Sequence, residues 1–319
     1  MGAGAAPRHS PGLTWRSAVA RYSDVIRETI MKQDVRFVSH GAELRGNLFR
    51  PEGEVRALAV TTGPLTSVKE QAAGAYAEAL SRRGFAALAF DHRTFGESEG
   101  LPRQVENPLA KAEDVSAAAD FLLRISEFRG LKVYGVGVCA GGGYMARAVA
   151  DDGRFAGFAG IAGVYPDVNQ TRAWMGDGYQ KALDRAQKAL EAYQATGVAE
   201  TIPAVAADNG DVAMPLTEAY EYYGTPRGAV PNYVNGFAVQ SRLYTLPFDV
   251  QGLAADIKAP SIVVHSEHAL MPALARAFYA RLTAPKSELW LESQGQIDFY
   301  DDPRLIDAAS DAVAGFFGV

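Results

Sequence analysis

The run Gly135-Val136-Gly137-Val138-Cys139-Ala140-Gly141-Gly142-Gly143-Tyr144 decides the reading of this chain. A strand pattern over 131–138 leads into Cys139, and residues 140–150 take helical spacing. The cysteine therefore stands on a sharp strand-to-helix turn. Such a turn strains its central residue and brings helix and strand close together, so its neighbours must be small. Gly137 and Gly141 stand two residues to either side. The start of the helix is expected to place partial positive charge at the sulfur and so to favour thiolate. A glycine-rich phosphate loop is the competing reading. The glycines do not fit the GxGxxG spacing that opens a dinucleotide fold near the N-terminus, so the run reads as a nucleophile turn with cysteine in place of serine.

Outward from this turn the chain alternates strand and helix. Strands are expected over 35–38 and 44–49 (a hairpin turning at His40-Gly41), 57–60, 85–90, 155–161, 261–265 and 288–291. Helices are expected over 69–82, 108–125, 272–281 and 304–317. Continuous apolar strands imply a mostly parallel sheet covered on both faces. The rhythm breaks from about 164 to 256, a segment that holds eight of the fourteen tyrosines, Trp174, and helical stretches near 179–193 and 216–223. The division that follows is an N-terminal tail and helix over 1–32 (tail 1–12, helix 14–30), an α/β core over 33–163 and 257–319, and a helical cap over 164–256.

The bulk numbers narrow the classes. The 319 residues carry a net charge of -6, 48% hydrophobic and 21% charged residues, and a single cysteine. A global basic surface for nucleic acid is not expected, and no disulfide can form within the chain. No apolar run reaches the ~18–20 residues a bilayer crossing needs. The N-terminus lacks a secretory pattern, and Ala6 stands where a myristoylation motif needs Ser or Thr. The expectation is a cytoplasmic protein with no membrane partner and no cofactor. No His/Cys/Asp/Glu cluster has metal-ligand spacing. A small-molecule acyl substrate is the expected partner, with a homodimer left open.

The Cys139 run, the Asp91-His92-Arg93-Thr94-Phe95-Gly96-Glu97-Ser98 loop and Gly295-Gln296-Ile297-Asp298-Phe299-Tyr300-Asp301 together resemble the α/β-hydrolase superfamily over residues 33–319. Within it the chain is similar to the dienelactone-hydrolase-like proteins that have cysteine in the elbow. The resemblance implies an α/β-hydrolase fold and a nucleophile–acid–histidine order. It implies an oxyanion hole from the backbone N–H of Ala140 and of a residue in Gly63-Pro64-Leu65-Thr66-Ser67, taken as Leu65. The acid is expected at Glu267, where the strand over 261–265 ends. His265 is read as structural. Where the superfamily carries its histidine, this chain has Gln296, and His268 lies too close to Glu267 to serve. Tyr165, Trp174, Tyr144 and Phe95 are the expected substrate-lining residues.

Glutamine hydrogen-bonds but takes no proton near neutrality. A general base contributes about 10²–10⁴-fold. A thiol loses less than a serine would without one, because it ionises partly unaided. The expected chemistry is cleavage of an ester, lactone or thioester through an acyl-cysteine, with turnover impaired by Gln296. Three explanations of Gln296 stay open: an inactivating replacement, a natural repurposing, or a substitute base in His92 or His268. Two other functions stay open beside hydrolysis: an acyltransferase or cyclase of natural-product biosynthesis, and a ligand-binding pseudoenzyme.

Overall fold

The computed structural model describes Met1 and residues 31–319. Apart from Met1, the expected tail, and with it the helix over 14–30, lie outside the described residues. The chain runs β1 (Met31–Ser39), β2 (Ala42–Arg50), β3 (Ala57–Thr62), α1 (Ala72–Ser81), β4 (Phe85–Phe90), α2 (Pro108–Arg124), β5 (Val133–Val138), α3 (Gly141–Asp151) and β6 (Phe155–Ile161). An insertion follows with α4 (Val168–Met175), α5 (Asp177–Thr196), β7 (Thr201–Ile202), α6 (Thr217–Tyr223), β8 (Phe237–Ala238) and α7 (Arg242–Thr245). The core resumes with β9 (Ser261–His265), α8 (Pro272–Arg281), β10 (Lys286–Trp290), α9 (Asp298–Asp301) and α10 (Pro303–Phe317).

Eight strands form one sheet in the order β1-β2-β4-β3-β5-β6-β9-β10. β1 with β2 and β2 with β4 are antiparallel; the remaining pairs are parallel. Every residue of β3, β4 and β5 is buried. That explains why these strands are apolar on both faces rather than alternating: helices cover both sides. One face packs against α1 and α10, the other against α2, α3 and α8.

Local chemistry sets the element ends. In the β1–β2 hairpin Ser39 pairs with Ala42, which leaves His40 (φ 46°) and Gly41 (φ 84°) as a two-residue turn with both φ positive, the twist a tight hairpin prefers. Asn107 caps α2 by accepting from Leu109 N and Ala110 N, with Pro108 at the first helical position. Asp302 and Pro303 repeat the device at α10. The helix expected from residue 69 begins only at Ala72. Lys69 is instead drawn inward, its Nζ bonding Asp91 Oδ2 at 2.8 Å. Helix α4 has no counterpart in the hydrophobic pattern because none of its residues is buried; only its cap, Asp167, marks it.

Candidate active site

Cys139 joins β5 to α3 and holds φ at +56°, the left-handed region that costs a non-glycine residue about 1–3 kcal/mol. The backbone is pinned there from both sides. Cys139 N donates to Ile161 O (3.1 Å), and Cys139 O accepts from Gly142 N (2.9 Å) and Val164 N (2.8 Å). The flanking glycines are sterically required. A Cβ on Gly137 would lie 2.2 Å from Gly141 O, and one on Gly141 would lie 2.5 Å from Thr62 O.

The cysteine is only 5% exposed. Burial pushes its thiol pKa up, and this outweighs four donors that favour the thiolate: the Tyr300 hydroxyl, Ala140 N–H, the Gln296 side chain and Leu65 N–H. The amide at the helix start favours the thiolate, as the sequence suggests, but desolvation outweighs it. Ala140, Leu65 and Gln296 thus share the surroundings of the Cys139 sulfur. Tyr300 joins them, a residue that the sequence reading quoted but gave no role. Tyr300 is four residues beyond Gln296, one helical turn, and that spacing was the available signal.

Gln296 is tied at both ends of its amide. Oε1 accepts from Leu270 N and Nε2 donates to Ala162 O, both at 2.9 Å. The insertion grips its backbone, where Glu218 Oε2 on α6 accepts from Gln296 N at 3.0 Å and from Ile297 N at 3.4 Å. Glu267 is not brought to this site. Its side chain is 60% exposed and pairs with Arg276, whose guanidinium stacks 3.7 Å over Trp290. The loop after β9 turns Ala269 inward and Glu267 out, so a backbone N–H, and not a carboxylate, meets residue 296.

The four described histidines are engaged elsewhere. His92 Nε2 meets Thr62 Oγ1 at 2.7 Å, its Nδ1 lies 3.4 Å from Asp114, and burial pushes its pKa down. His268 Nδ1 meets Ser293 O at 2.7 Å. His265 sits between Ser266 O and Gly163 O, and His40 lies near Glu113.

The expected lining residues have these surroundings. Tyr165 stacks on Phe278 (centroids 4.0 Å apart, planes 8°) within the α2–α3–α8 core. Its ring fills space that Gly160 leaves free, where a Cβ would lie 1.8 Å from its hydroxyl. Trp174 is 59% exposed on α4. Phe95 is fully buried beneath the Lys111 ammonium, 4.3 Å from its ring centroid. Tyr144 donates to Glu106 Oε1 at 2.7 Å; burial, Glu106 and the nearby Cys139 hold its phenol well above the ordinary pKa.

Over the sulfur the insertion contributes Tyr222, Tyr223 and Tyr233, which pack on one another and on Tyr300 with ring centroids 4.8–6.4 Å apart. Burial and the neighbouring Cys139 hold the Tyr223 and Tyr300 phenols well above their ordinary pKa, and burial pushes Tyr233 up to about 12. The ring of phenols is thus neutral. The groups that act on the sulfur are hydrogen-bond donors, an arrangement suited to receiving negative charge on sulfur or on an adjacent oxygen.

The family model described as serine aminopeptidase, S33 (Hydrolase_4), matches residues 70–218. With the parallel sheet and the left-handed elbow, this makes the chain a member of the α/β-hydrolase superfamily. Within it, the chain is 31% identical over 294 residues to the uncharacterised protein PA2218 of Pseudomonas aeruginosa, covering 87% of this chain and 77% of that protein. The crystal structure of PA2218 superposes with a TM-score of 0.79, covering 91% and 94% of the two chains at 28% identity. The uncharacterised protein YcjY of Escherichia coli is 28% identical over 267 residues, 81% of this chain and 87% of that one. A thiohydrolase of Eupenicillium brefeldianum is 39% identical over 97 residues, 30% of this chain and 31% of that one.

Proposed function

We propose that this protein takes an acyl group from an activated thioester or ester onto Cys139 and passes it to an acceptor other than water. One observation carries the reading: Sγ of a strained elbow residue is met by the Ala140 and Leu65 amides, the two donors an acyl oxyanion needs. In the acylation step Sγ bonds to the acyl carbon and the donor's C–S or C–O bond breaks. The thiol proton leaves with the departing group, as neutral thiol or alcohol, by way of the Tyr300 hydroxyl at the sulfur. Thioesters suit the site best, because a thiolate leaves with little help. In the transfer step the acceptor's nucleophilic atom bonds to the acyl carbon, the Sγ–C bond breaks and the acceptor's proton returns to Sγ by way of Tyr300; release to water needs a base that Gln296 cannot be. The partial relatives named thiohydrolase and polyketide transferase support acyl chemistry in this part of the superfamily. This reading ranks the chain with the cysteine-bearing, dienelactone-hydrolase-like members.

Intact-protein mass after brief incubation with acyl thioesters and activated esters tests the reading. The expected result is one acyl adduct, absent from Cys139→Ala, that decays faster with an added amine, thiol or alcohol than in buffer alone. No adduct on a thiol that iodoacetamide still alkylates would overturn it and favour a pocket kept for binding.

A further inference from the structure

Behind the site lies a charged group that the chemistry above does not use. Glu106, fully buried, precedes α2; its Oε1 lies 2.6 Å from Lys111 Nζ and accepts from the Tyr144 hydroxyl at 2.7 Å. Lys111 is itself 3% exposed and covers the rings of Phe95 and Tyr144. The Glu106 backbone N donates to Ser241 Oγ in the insertion at 2.9 Å. The second carboxylate oxygen reaches the oxyanion loop: Oε2 accepts from Thr66 N at 3.0 Å.

A buried ion pair is a poor device for stability, since desolvating two charges costs about what their attraction returns. Its placement here points elsewhere. Thr66 is a β-branched residue at φ +61°, a conformation such residues rarely adopt without an outside hold. The Glu106 carboxylate supplies that hold on the N–H of the Leu65–Thr66 peptide, and the next peptide towards the N-terminus, Pro64–Leu65, carries the Leu65 N–H.

We propose that Glu106 is a positioning residue for the oxyanion cradle: fixed by Lys111 and Tyr144, its carboxylate holds the Thr66 amide and so keeps Leu65 N–H directed at the Cys139 sulfur. The proposal rests on the acyl-cysteine reading. Its test separates two reactions of one sulfur. Acylation by p-nitrophenyl acetate passes through an oxyanion, whereas alkylation by iodoacetamide does not. Two double variants differ only in whether an acceptor for Thr66 N–H remains. Glu106→Met/Lys111→Met removes it, and Glu106→Gln/Lys111→Met keeps it without charge.

The expected result is a fall of about 10²-fold in the acylation-to-alkylation ratio for the first variant, the scale for losing one oxyanion donor, and a change within a few-fold for the second. Equal ratios in the two variants, or acylation and alkylation falling in parallel, would overturn the proposal. If the first variant does not fold, the single change Glu106→Gln decides: a ratio near wild type is expected, and a tenfold loss overturns. If wild-type protein is alkylated but never acylated, the acyl reading fails on its own. Amide hydrogen exchange at residues 65–67 then decides: faster exchange without the acceptor supports the hold, and equal exchange refutes it.

Discussion

At Cys139 two opposing effects meet, and their balance predicts behaviour. Burial raises the thiol pKa and the four donors only partly offset it. The reactive thiolate fraction therefore grows as pH rises through and beyond the range of an ordinary thiol. The rate of alkylation by iodoacetamide should still be climbing above pH 9, and a plateau at neutral pH would contradict a buried, neutral thiol. Tyr300→Phe removes one donor, so the midpoint of that pH profile should move further upward. Gln296→His supplies a base and should raise hydrolysis of a p-nitrophenyl ester. The gain should fall at the low end of the ~10²–10⁴-fold range, because the side chain meets Leu270 N–H and no carboxylate orients the imidazole. Unchanged turnover would show that residue 296 does not address the attacking water. The sequence made Cys139 and Gln296 legible because their signals are local: small neighbours at a turn, and a known run with one residue changed. Glu267 misled because a strand-end position says nothing of which way the loop turns; here its side chain is exposed and pairs with Arg276.

Among the elements, the strands and helices of the sheet domain were readable because each buries a stripe or a whole face. Helix α4 was not, having no buried residue to leave a pattern. The Glu106–Lys111–Tyr144 group was equally hidden. Its members sit on a loop, a helix and a second helix, and only the packing of α2 against α3 joins them. The packing of β6 against Tyr165 gives a paired prediction. Gly160→Ala should destabilise by about 1–3 kcal/mol in thermal or denaturant unfolding, since the added methyl falls on the Tyr165 hydroxyl. Tyr165→Phe should be neutral or stabilising, because that buried hydroxyl has no hydrogen-bond partner. Tyr165→Phe should also leave the acylation rate unchanged; a marked loss would return Tyr165 to the substrate's surroundings.

Across the whole molecule, the thiol is enclosed by parts drawn from far along the chain: the elbow, the Leu65 loop, the aromatic insertion and the Gln296 loop. The chain contains no second cysteine. A sulfenic acid formed at Cys139 would find no neighbouring thiol with which to form a protective disulfide, and further oxidation would be irreversible. The desolvation that keeps this sulfur a neutral thiol also slows its oxidation, because only the thiolate attacks the O–O bond of a peroxide. Burial thus shields a sulfur for which the chain holds no resolving thiol.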